Sequence, residues 1–94
     1  MLNPIDIIKK IPLVFKLHTD RDFFIEWVTT YNHVTEAQVK AIHLITNFNV
    51  THTLSIVGNI NNGVSPTLAC QQYLLNHPGK GEEILKTFSK LDKI

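Results

Sequence analysis

Residues 35–48 read Thr-Glu-Ala-Gln-Val-Lys-Ala-Ile-His-Leu-Ile-Thr-Asn-Phe, and this stretch decides the fold class. Thr35 with Gln38 three residues later is a capping box, in which each side chain reaches the other residue's backbone N–H. Ala41, Ile42, Leu44, Ile45 and Phe48 then recur at the helical period. The pattern predicts an amphipathic helix with Ile42, Ile45 and Phe48 facing the core, and Asn49 is a suitable left-handed terminator.

Similar signals flank this helix on both sides. On the N-terminal side, Thr19 reads as the cap of a helix with Asp20 and Asp22 in its first turn, where the helix dipole favours acids. Phe23, Trp27 and Tyr31 follow at i, i+4 and i+8, with Phe24 and Val28 alongside. Further upstream, Asn3-Pro4 opens a short helix over residues 4–11, and Pro12 makes residues 12–17 restart or kink it.

On the C-terminal side, Thr51 caps a segment with Leu54, Ile56, Val57 and Ile60. Its β-branched residues and Gly58 keep a strand open as an alternative. Asn61-Asn62-Gly63 ends it. Ser65-Pro66 opens a fifth helix in the N-cap/N1 manner, carrying Leu68, Cys70, Tyr73, Leu74 and Leu75 and stopping at His77-Pro78-Gly79. Gly81-Glu82 opens the last helix. Glu82 and Glu83 lie at its start and Lys86, Lys90 and Lys93 toward its end, matching the dipole, and Ile84, Leu85, Phe88 and Leu91 form its inward stripe.

These elements predict an all-α fold, a compact single-domain bundle of five or six short helices over residues 1–94, with the third and last helices central. Ile42, Ile45, Phe48, Leu85 and Phe88 are expected in the core.

Composition narrows the function classes. The net charge is +1, with eight Lys and a single Arg, so no strongly basic footprint for nucleic acid is present. Charged residues make up 18% of the chain and hydrophobic ones 44%, a low charge content that fits apolar surface given to a partner. Eight Asn and nine Thr supply polar surface without charge. A single cysteine, Cys70, cannot close a disulfide within the chain, which suits a reducing, cytoplasmic setting. No apolar run approaches the ~18 residues of a membrane span, and Lys9 and Lys10 follow rather than precede the first isoleucines, unlike a signal peptide. The heavy use of Asn, Ile, Lys and Thr suggests an AT-rich genome such as that of a phage, a plasmid or a low-GC bacterium.

The residues that might carry chemistry make no known constellation. His18, His33, His43, His52 and His77 include no i, i+4 pair, and none stands at metal-ligand spacing from Cys70 or a carboxylate. Neither a metal nor a cofactor is expected. Asn32-His33 and Asn76-His77 each precede a similar helix, so symmetric packing of two hairpins would bring His33 and His77 together. Cys70 sits on an apolar face, as inert cysteines do. Pro78-Gly79-Lys80-Gly81 is a weak anion nest opposed by Glu82 and Glu83. Residues 5–17 mix Lys9, Lys10 and Lys16 with apolar side chains, as a membrane-surface segment does, though Pro12 interrupts the stripe.

The expected role is non-enzymatic: a small protein–protein interaction module, a regulator or inhibitor of the kind a phage or plasmid encodes. Contact with a protein partner or a second copy is expected through Phe23, Phe24, Trp27 and Tyr31, because aromatic side chains on two adjoining helix faces exceed what one core can bury. The alternative is a small helix-turn-helix DNA-binding regulator using residues 41–60, where Phe48-Asn49-Val50-Thr51 imitates the turn of that motif but the following segment has no Lys or Arg.

Overall fold

The computed structural model describes residues 13–88 and 90–94, and within them the chain is all-α. Helix α1 covers residues 13–19. It is followed by α2 (Arg21–Tyr31), α3 (Glu36–Ile45), α4 (Val50–Asn61), α5 (Pro66–Asn76), α6 (Lys80–Thr87) and a 3₁₀ turn, η1 (Leu91–Lys93). The helix expected over residues 4–11 lies outside the described residues.

Most helix starts follow the capping chemistry. Thr35 Oγ1 accepts from the Gln38 N–H at 3.1 Å while Gln38 Oε1 accepts from the Thr35 N–H at 3.0 Å, the expected capping box. Ser65 caps α5 with Pro66 in its first turn. Two caps differ from the sequence reading. Asp20, not Thr19, caps α2, accepting from the Phe23 N–H at 3.0 Å. Thr19 instead completes α1 and bonds back to the Phe15 carbonyl at 2.8 Å. Asn49, not Thr51, caps α4 through the His52 N–H at 2.9 Å.

The left-handed terminator of α3 is therefore Asn47 rather than Asn49. Asn47 (φ 56°) donates to the Leu44 carbonyl and Phe48 (φ 61°) to the His43 carbonyl, the paired bonds of a Schellman ending. The same pair closes α4, where Gly63 (φ 98°) donates to Ile60 and Val64 to Asn59. Residues 51–60 are helix, which removes the strand alternative. Thr53, Ile56 and Val57 form the buried face of α4, and this packing overrides their weak helix propensity.

Helix α3 is central, packed by α2, α4, α5, α6 and η1. Between α3, α4, α5 and η1 lies an aliphatic core of Ile42, Ile45, Ile56, Ala69, Cys70, Leu74 and Leu91. On the α2 side a second core joins Phe24, Ile25, Val28, Val34, Val39 and Val57.

Ile42 and Ile45 are core as expected, but Phe48 is 37% exposed. Its position in the Schellman turn swings the ring outward, where the Arg21 guanidinium lies 3.5 Å from its centroid. Leu85 and Phe88 are only partly buried, because α6 sits at the rim and buries Gly81 alone. That burial is a close approach: a Cβ at Gly81 would stand 2.6 Å from the Ile45 carbonyl oxygen and 2.9 Å from Leu74. The helix begins at Lys80, with Gly79 as its N-cap, ahead of the expected Gly81-Glu82 start.

Candidate functional site

The aromatic run of α2 divides between inside and outside. Phe24 and Val28 are wholly buried and Ile25 nearly so, which fixes the rotation of the helix. Phe24 is therefore a core residue and presents no contact surface. Phe23 and Trp27 are left on the flank, half-buried, and Tyr31 stands 70% exposed. The Trp27 and Tyr31 rings are 5.5 Å apart and inclined by 52°, a favourable tilted pair. Lys16 Nζ lies 4.4 Å from the Phe23 centroid and ties this edge to α1, on which Leu13, Val14 and Phe15 are exposed. Of the expected contact set, Phe23, Trp27 and Tyr31 thus share one helix edge with solvent access.

The histidines fall into separate environments. His43 is buried: its Nδ1 lies 2.7 Å from Thr53 Oγ1, which in turn lies 2.9 Å from Thr46 Oγ1. Its ring is 4.7 Å from Phe24 and meets Phe48 edge-on at 5.4 Å. Burial, with the nearby Arg21 charge, pulls the His43 pKa down from 6.5 to about 4. The ring is neutral at pH 7 and pins α3 to the start of α4.

His33 and His77 do not come together. The His33 backbone N–H donates to Asn61 Oδ1 at 3.0 Å, joining α2's exit to the end of α4. His77 instead meets His52 across the α4–α5 contact, with ring centroids 4.6 Å apart. Tyr73 lies between them. Its hydroxyl is 2.7 Å from His52 Nδ1, its carbonyl 3.1 Å from His77 Nδ1, and its ring is stacked on His77 at 4.4 Å. Tyr73, in the last turn of α5, and His77, its C-cap, are four apart, a spacing visible in the sequence. His52, from another helix, was not traceable to them without the fold. No three His, Cys, Asp or Glu residues form a metal-sized cluster among the described residues.

Cys70 is buried, and desolvation, then the Asp92 charge, pushes its thiol up to about 12, so it is not a nucleophile at neutral pH. At the glycine turn, Gly81 is buried while Pro78, Gly79 and Lys80 are exposed. Helices α3 and α4 are joined by a short turn over residues 46–49. The outer face of α4 presents Thr51, Ser55 and Asn59 and carries no charge.

One surface the sequence did not reveal is a hollow of about 550 Å³ between α5 and α6, lined by apolar Leu74, Leu75, Leu85 and Phe88 with Glu82 and Lys86. Within this lining Leu75 is 82% exposed. Leu74 and Leu75 are adjacent, so only one can face the core, which is the signal the sequence offered.

No protein-family model, curated protein or solved structure matches the chain.

Proposed function

We propose that this chain is a small non-enzymatic interaction module, a regulator or inhibitor that works by binding another protein through the outer edge of α2. One observation carries the reading: Tyr31, 70% exposed, packs against half-buried Trp27 on a helix locked by fully buried Phe24. Aromatic side chains have few rotatable bonds to immobilise on binding, and Trp and Tyr are the usual energetic centres of protein interfaces.

The test compares partners co-purified from native extract by the unaltered chain, Tyr31→Ala and Trp27→Ala. Tyr31→Ala should lose its partner by ≥ ~2 kcal/mol, more than tenfold, while its thermal stability stays within about 0.5 kcal/mol of the parent. Partners retained at full yield by both variants would contradict the reading.

A second reading, a helix-turn-helix DNA-binding regulator over residues 41–60, is favoured by the short α3–α4 turn and its left-handed Asn47 and Phe48. It ranks below the first because phosphate contacts normally supply most of the affinity and α4 has no Lys or Arg to make them. A gel shift at physiological salt that Thr51→Ala plus Ser55→Ala abolishes would reverse this order.

A further inference from the structure

We infer that His52 and His77 form a two-imidazole site for a borderline-soft divalent cation of the zinc, nickel and copper class, with Tyr73 as the positioning residue for both rings. His52 is on α4 and His77 caps the end of α5, so the rings converge only in the fold. Their centroids are 4.6 Å apart with an interplanar angle of 54°. Two imidazoles sharing one tetrahedral cation at ~2.0–2.1 Å metal–nitrogen distance hold their centroids about 5 Å apart, close to the spacing of this pair.

The hydrogen bonds set the tautomers. His77 Nδ1 faces the Tyr73 carbonyl, which can only accept, so Nδ1 carries the proton and Nε2 carries the lone pair. His52 Nδ1 faces the Tyr73 hydroxyl, which can accept as well as donate. When His52 Nδ1–H donates to it, the His52 Nε2 is also a lone-pair donor. Metal-bound histidines are typically held through their other nitrogen in this manner, and here one tyrosine serves both rings through its carbonyl and its hydroxyl. Lys80 borders the hollow beside Tyr73 and His77 and is exposed, so its ammonium can turn to solvent. The remaining coordination positions fall to water or to the same pair from a second copy of the chain.

The test is calorimetric titration of the tag-free full chain with zinc chloride, and separately with nickel chloride. Alongside it, NMR of the histidine ring nitrogens and sedimentation would be measured with and without metal. Saturable binding at one zinc per chain, or at one per two chains with a metal-dependent dimer, is expected, with the His52 and His77 Nε2 resonances shifting. His77→Ala, an exposed position that should fold normally, is expected to weaken binding at least ~tenfold. Tyr73→Phe, which keeps the carbonyl and the ring, should weaken it less and through His52 only. Absence of saturable binding, or binding that His77→Ala leaves unchanged with ring shifts at His18 or His33 instead, would overturn the inference.

Discussion

The two sides of α3 are closed by different means. Toward α2 the contact is made by bulk: Phe24, Val28, Val34 and Val39 fill the space, and the Phe24 ring lies against His43. Toward α5 and α6 the contact depends on small residues between aliphatic ones, with Ala41, Ala69 and Cys70 buried and Gly81 pressed to the Ile45 carbonyl. The first interface fails when a side chain is shortened, the second when one is lengthened. A close-packed interior penalises both errors.

Phe24→Ala should have the largest effect, about 3–5 kcal/mol, enough to threaten folding of so small a domain. Phe48→Ala, the same change at a ring that is partly exposed and held by Arg21, should cost only about 1 kcal/mol. Denaturant titration of the two variants would show this ratio, and equal losses would mean that Phe48 is packed inside.

Acid should come next, acting through His43. Its folded-state pKa of about 4 lies below the ordinary 6.5, so between those values the unfolded chain binds the extra proton. The stabilisation is complete above about pH 6.5 and is lost progressively as pH falls toward 4, to a total of about 3 kcal/mol. Chemical denaturation at pH 7, 5.5 and 4 measures the slope. His43→Gln should be less stable at pH 7 yet flatter across that range, and an unchanged slope would place the acid sensitivity elsewhere.

On the opposite side of α3, Gly81→Ala should lose about 1–2 kcal/mol despite the better helix propensity of alanine, because the added methyl meets a backbone oxygen rather than a movable side chain. A thermal melt at or above the parental midpoint would show that α6 sits further from α3. The smallest effect is expected at Thr35→Ala, about 1 kcal/mol, from the loss of its capping bond to the Gln38 N–H.

The same contrast explains what the sequence disclosed. Contacts made by bulk leave a periodic trace, so Ile42, Ile45 and the membership of residues 51–60 in an apolar stripe were legible. Turns marked by glycine were legible too, as Gly63 shows. The matching turn after α3 has no glycine and offers two asparagines, and composition could not rank Asn47 above Asn49. The two-residue error then carried Phe48 from the surface to the core and the α4 cap from Asn49 to Thr51. Gly81 was read as a helix start because close backbone approach leaves no hydrophobic signature. At the candidate contact edge, the excess of aromatic residues on α2 was visible, but the sorting of Phe24 inward from Phe23, Trp27 and Tyr31 depends on helix rotation, which the neighbouring helices set.

Site-directed photo-crosslinking tests the proposed binding edge most directly. A photoreactive phenylalanine analogue would replace Tyr31 in one preparation and Asn59, on the outer face of α4, in another, each irradiated in native extract. The account predicts a discrete protein adduct, or a covalent dimer of the chain, from position 31 and none from position 59. An adduct from position 59 alone, or equal labelling at both, would contradict it.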